Sequence, residues 1–209
     1  MEPQSLYQYL EEHKCKKGGK STHTRIPNKD LGIYAGSYTI NSEDESFKKV
    51  YVEKVFENQQ QEYLTEAQLP IAGPVLIDFD FRYSTEIEER QHTDEHITDI
   101  IDLYLQILRK IITITEETFP VFIFEKPNVN TLDDVTKDGI HMIIGIHLHH
   151  EAQMVLRECV LKEIGNVMED LPLTNDYESV LDKGISTGKT NWQLYGSRKP
   201  GNEAYRLVK

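Results

Sequence analysis

Side chains alternate in direction along a strand, and over 75–82 Val75, Ile77, Phe79 and Phe81 fall on one wholly apolar side, with Leu76, Asp78, Asp80 and Arg82 on the other. A period of two predicts a β-strand with one face in a core. Ile140, Met142, Ile144 and Ile146 repeat the pattern and predict a strand over 140–147, and the apolar run 121–124 reads as a short buried strand. A period near 3.6 appears after Thr93, where Ile97, Ile100, Ile101, Tyr104, Leu108 and Ile111 form the stripe of a long helix. Helices are also predicted over 5–13, after a Ser42 cap with Phe47, Val50, Tyr51 and Val55 on one face, and over 151–168. Residues 32–40, 192–195 and 205–208 look β, and 127–137 reads as a loop. There is no internal repeat or low-complexity linker. The pattern predicts a mixed α/β or α+β domain with its sheet in the middle.

At 209 residues the chain is long enough for a real core. No apolar run approaches the ~20 residues of a membrane span, and the polar N-terminus does not read as a signal peptide. Two cysteines, Cys15 and Cys159, are too few for a disulfide framework or a zinc cluster. The expectation is a soluble intracellular protein in a reducing compartment, with no zinc. The strand-like ending at 204–209 suggests a piece of a longer protein.

A net charge of −12 argues against a polyanionic partner until its distribution is considered. Residues 1–25 carry five Lys/Arg against three acids, and 184–209 carry five against one, so the ends are +2 and +4 and the middle −18. Both basic stretches are rich in Gly, Ser and Thr, as phosphate-gripping loops often are. Lys17, Lys20 and Arg25 in the first and Lys189 in the second are the cations such loops would offer to the phosphates of a nucleic acid. The acidic middle reads mainly as solvated helix faces.

Asp78 and Asp80 share one face of an otherwise well-made strand, where two carboxylates repel and cost desolvation unless a cation neutralises them. A hard divalent ion, Mg²⁺ or Mn²⁺, is the economical partner, against the bland reading of a wet strand face. His141 follows Gly139 and emerges opposite the core face, beside the lysine-bearing turn at Lys137. There it can donate to a phosphate oxygen while the backbone approaches closely. At 191–201, Trp192 and Tyr195 run into a Gly/Ser/Pro turn with Arg198 and Lys199. That composition suits stacking on a base or sugar with a grip on phosphates, or an aromatic-anchored hairpin. The run 184–190 imitates a P-loop but has three residues between its glycines where four are needed, and no helix comes after it. His147, His149 and His150 read as a strand exit and helix start.

In this order these segments resemble the archaeo-eukaryotic primase superfamily, above all the N-terminal primase domains of poxvirus-type primase-helicases from large DNA viruses. Ile77-Asp78-Phe79-Asp80 matches the acid-x-acid strand, and Gly139-Ile140-His141 the small-x-His motif, with glycine where many relatives have serine. Asp182 in Val180-Leu181-Asp182-Lys183 matches a lone aspartate after an apolar stretch, and 191–199 resembles the family's segment C-terminal to that aspartate. The resemblance implies an α+β catalytic fold with a central mixed or antiparallel, RRM-like sheet flanked by helices. It also implies an N-terminal α/β module at 1–70 and a catalytic core at 71–209. Asp78, Asp80 and Asp182 would hold two Mg²⁺ or Mn²⁺ ions. Gly139, His141, Lys137, Ser197, Arg198 and Lys199 would bind the incoming nucleoside triphosphate, Arg198 serving either triphosphate or template. Spacing alone does not choose Asp182 over Asp138 or Glu125 as the third carboxylate.

The implied activity is a DNA primase or primase-polymerase making primers on single-stranded DNA. The partners are template, NTP or dNTP and a C-terminal helicase region of the same polypeptide, at a viral replication site and without a membrane. The rival readings are a metal-dependent nuclease and a catalytically silent DNA-binding module.

Overall fold

Twelve residues, Ala72–Tyr83, pair along one long antiparallel partner with a register shift between Pro74 and Val75 in the structure, a computed structural model that describes residues 5–41, 43–115 and 118–209. In chain order the elements are α1 (Leu6–Glu12), β1 (His23–Arg25), β2 (Gly36–Tyr38), α2 (Glu45–Val52), β3 (Leu64–Glu66), β4 (Ala72–Tyr83), α3 (Asp94–Ile111) and β5 (Val121–Glu125). They continue with β6 (Asn130–Thr131), β7 (Thr136–His149), α4 (His150–Leu161), α5 (Gly165–Met168), α6 (Tyr177–Val180), α7 (Lys183–Ser186), β8 (Trp192–Gln193) and β9 (Arg206–Leu207). The fold is α+β, and every strand pair described is antiparallel. No helix among the described residues is long and apolar enough to cross a membrane.

The chain divides into two compact units: Met1–Gln68 with Asn191–Tyr205, and Leu69–Thr190 with Arg206–Lys209. Grouping all of 71–209 in one core is therefore corrected for 191–205. That segment belongs to the first unit because β8 pairs with β3, Glu66 opposite Trp192. The sheet there runs β2-β1-β3-β8. Leu6, Tyr9 and Leu10 of α1 and Phe47, Val50 and Tyr51 of α2 share its core with Tyr38, Ile40 and Leu64. Asp44 caps α2 through the Ser46 N–H; the cap expected at Ser42 lies outside the described residues.

In the second unit β4-β7-β5-β9 form the main sheet, with β6 paired to β7. Phe79 and Phe81 of β4, Met142 and Ile144 of β7, Ile100 and Leu108 of α3 and Val160 of α4 are at most 2% exposed and form one core. Thr93 opens α3 with a capping box, its side chain accepting from the His96 N–H. β7 begins at Thr136, inside the loop predicted from sequence, because pairing with β4 extends it past its apolar run. The expected helix over 151–168 is two pieces, α4 and α5.

Candidate active site

Residues opposite one another in an antiparallel pair point to the same face. Asp78 lies opposite His141, Asp80 opposite Gly139 and Arg82 opposite Lys137. The register thus collects two carboxylates, an imidazole and two cations on the sheet face turned away from the Phe79–Met142 core. His141 Nε2 stands 3.5 Å from Asp78 Oδ1, with the two side chains 10% and 23% exposed. Arg82 donates to Asp80 at 3.0 Å across the i,i+2 spacing of one strand face. That pair is about 40% exposed, so it is worth about 1 kcal/mol at most and opens readily.

Asp182 reaches this face from a hundred residues away. Leu181 bridges Phe79, and the Asp182 N–H donates to the Asp78 carbonyl at 3.0 Å. Further along, the Asn175 side-chain amide donates to the Asp80 carbonyl at 2.9 Å and its oxygen accepts from the Arg82 N–H at 3.1 Å. Thr174 N–H donates to the Arg82 carbonyl. Segment 174–182 is therefore a strap along the edge of β4 that β7 does not occupy. The Asp182 side chain caps α7, accepting from the Gly184 N–H at 2.7 Å.

The two competing third carboxylates stand elsewhere. Asp138 and Glu125 lie on the opposite face of the sheet, Asp138 opposite Phe81 and Glu125 opposite Ile140. Arg90 grips Asp138 at 2.9 and 3.0 Å, pairs with Glu125 at 3.1 Å, and donates to the Lys126 carbonyl. His92 bonds Glu125 as well. The His92 and Arg90 partners hold the Glu125 carboxyl below the usual carboxylate range against the opposing effect of burial. Both acids are committed to this buried cluster.

Among the described residues no three His, Cys, Asp or Glu side chains stand close enough to hold a metal ion as they are arranged. The donor set still fits Mg²⁺ or Mn²⁺: three hard carboxylates on one sheet edge, with the backbones of Asp78 and Asp182 directly bonded. Two of the three are turned aside, Asp80 to Arg82 and Asp182 to its own helix. Both turned-aside groups are solvent-accessible.

Ser197, Arg198 and Lys199 belong to the first unit. Ser197 is 1% exposed. Its hydroxyl pairs with Tyr51 Oη at 2.8 Å and accepts from the Leu64 N–H at 3.0 Å, so its assignment to nucleotide is corrected to a packing role. Arg25 needs the same correction. It is 7% exposed and forks onto Glu62 with two bonds of 2.7 Å, which leaves no cation for DNA. Lys17, Lys20, Lys189 and Lys199 are exposed. Arg198 is half-buried, and its Nε has no hydrogen-bond partner among the described residues. In the P-loop look-alike, a Cβ on Gly188 would strike the His150 ring, so this turn is filled rather than cradle-like. The sequence reading missed the backbone holders Asn175 and Arg157. Neither sits in a pattern that could have revealed it.

Residues 27–209 match the family model described as the C962R protein N-terminal AEP domain, AEP denoting archaeo-eukaryotic primase. The chain is also 29% identical over 201 residues to the protein named "Putative helicase L207/L206" of Acanthamoeba polyphaga mimivirus. That match covers 94% of this chain and 20% of the viral protein, so the chain spans about one fifth of the relative's length. The family match begins after Lys17, Lys20 and Arg25 and takes in every carboxylate on the β4 edge. The chain belongs to the family of C962R-type N-terminal archaeo-eukaryotic primase domains.

Proposed function

We propose that the Asp78/Asp80/Asp182 face is the catalytic face of a template-directed nucleotidyltransferase, a DNA primase or primase-polymerase that makes primers on single-stranded DNA. The observation that carries this reading is the bond from the Asp182 N–H to the Asp78 carbonyl. It ties a third carboxylate to the two-aspartate strand in a chain of this family. Asp78, Asp80 and Asp182 would hold two Mg²⁺ or Mn²⁺ ions, which when bound acidify the primer hydroxyl and neutralise charge on the phosphates. In the reaction, the 3′-hydroxyl gives up its proton to solvent, its oxygen forms a bond to the α-phosphorus, the α–β phosphoanhydride bond breaks, and pyrophosphate leaves. His141 and Lys137 flank the aspartates and supply N–H donors to the triphosphate, while Gly139, opposite Asp80, leaves the backbone open to close approach. Lys199 and Arg198 are the further cations assigned to triphosphate, Arg198 also to template, and the exposed Lys17, Lys20 and Lys189 to DNA. The name of the mimivirus relative, and the fifth of its length that this chain matches, support a helicase region in the same full-length polypeptide and work at a viral replication site.

The test is primer synthesis on circular single-stranded DNA with labelled NTPs or dNTPs and Mg²⁺ or Mn²⁺. The expected result is de novo products that fall by roughly 100-fold or more in Asp78→Ala/Asp80→Ala, the scale set by losing preorganised charge stabilisation. Degradation of the template without added nucleotide supports the nuclease instead. Binding of DNA with no chemistry in the wild type leaves only the silent module.

A further inference from the structure

Arg157 is a buried cation, and two of its hydrogen bonds converge on one peptide oxygen. The residue projects from α4, is 3% exposed, and lies among the core residues Leu156 and Val160. Its Nε and Nη2 both donate to the Leu181 carbonyl, at 3.0 and 2.6 Å. Nη2 also donates to the Glu178 carbonyl at 3.0 Å. Its two ion-pair partners, Glu158 and Glu178, are themselves 51% and 57% exposed. A sealed guanidinium paired only with half-exposed carboxylates is costly to bury, and such an arrangement is poor evidence for a purely stabilising role.

The Leu181 carbonyl and the Asp182 N–H are the two ends of the same planar peptide. Arg157 holds the first end, and the Asp78 carbonyl accepts from the second at 3.0 Å. With a rigid plane pinned at both ends, the Cα of Asp182 has little freedom relative to Asp78. We propose that Arg157 is a positioning residue for Asp182, fixing through the Leu181 carbonyl the carboxylate that completes the divalent-metal site. The inference rests on the reading of Asp182 as a metal ligand. Two N–H groups from the planar fork meet one oxygen here, and a lysine amine has neither that shape nor that reach along its edge.

The test is Mn²⁺ binding, followed by the electron paramagnetic resonance signal of free Mn²⁺, in the wild type, Arg157→Lys, Asp182→Asn and the double variant. Circular dichroism and thermal melting are recorded on each. Arg157→Lys keeps the charge and the packed stem; Arg157→Met, which fills the same space, is the second variant should the lysine form fail to fold. Loss of a residue that orients a metal ligand typically costs 10–100-fold in affinity. The expected result is binding weakened by about 10-fold in folded Arg157→Lys, with no further loss when that change is added to Asp182→Asn. Weakened binding in Asp182→Asn but wild-type binding in folded Arg157 variants overturns the proposal alone. Wild-type binding in Asp182→Asn overturns the reading of Asp182 itself and the proposal with it.

Discussion

Glu62 is sealed from solvent between two cations, Arg25 at 2.7 Å and Lys54 at 2.8 Å. Burial pushes its carboxyl up, but the two cations outweigh that and hold it below the ordinary value of 4.5. A carboxyl depressed in the folded state contributes stability above its unfolded pKa and loses it as pH falls through the folded one. Stability attributable to this pair is therefore constant from neutral pH to about 5 and declines below about 4.5. Removing the guanidinium by Arg25→Met leaves Lys54 as the one cation on Glu62 and should cost roughly 2–3 kcal/mol at pH 7. The deficit should shrink as pH falls below about 4.5 and Glu62 begins to take up a proton. Urea unfolding of both proteins at pH 7 and pH 4 measures this, and an equal deficit at both values contradicts it. The sequence made Arg25 look like a DNA contact because it closes a basic stretch. Its burial depends on a glutamate 37 residues further on, and no local pattern carries that.

Among elements, length decided what the sequence could reveal. β4 and α3 bury a full periodic face, so their apolar residues recur often enough to be read. β1 and β3 have three residues each and β8 two, and partners chosen by tertiary pairing fix them. The strap 174–182 is the same case with functional weight, since it hides as a turn-rich stretch and covers the edge of the two-aspartate strand. Covering matters because an unpaired strand edge offers free N–H and C=O groups. Asn175 does this work with one side chain, satisfying the Asp80 carbonyl and the Arg82 N–H together. Asn175→Ala leaves both without that partner, and the expected cost is about 1–3 kcal/mol. Hydrogen exchange gives the local signature: the Arg82 amide should lose protection while Met142, within the β7 core, keeps its own. Unchanged exchange at Arg82 removes Asn175 from the account of how the carboxylates are held.

The whole molecule divides its charge unevenly. The unit of 1–68 with 191–205 has 11 Lys/Arg against 12 Asp/Glu, and the unit of 69–190 with 206–209 has 12 against 23. Net charges are thus −1 and −11, and the −11 unit carries Asp78, Asp80 and Asp182. A surface so charged repels a polyanionic template and a triphosphate alike, at distances within a Debye length of about 10 Å. Under the proposed function, divalent ions serve binding as well as chemistry, because they reverse the local sign of the field. Fluorescence anisotropy with a labelled single-stranded oligonucleotide, at constant ionic strength, separates the two roles. In chelator the wild type should bind weakly, and Mg²⁺ or Mn²⁺ should strengthen binding. Asp80→Asn removes one exposed negative charge, and one such charge at about 8 Å in water is worth roughly half a kcal/mol before screening. Metal-free binding should therefore tighten by no more than about twofold, while the gain on adding metal shrinks. The two effects have opposite signs and one cause, so no general loss of folding can imitate them. If Asp80→Asn leaves the metal-dependent gain intact, the ion that assists binding lies away from β4.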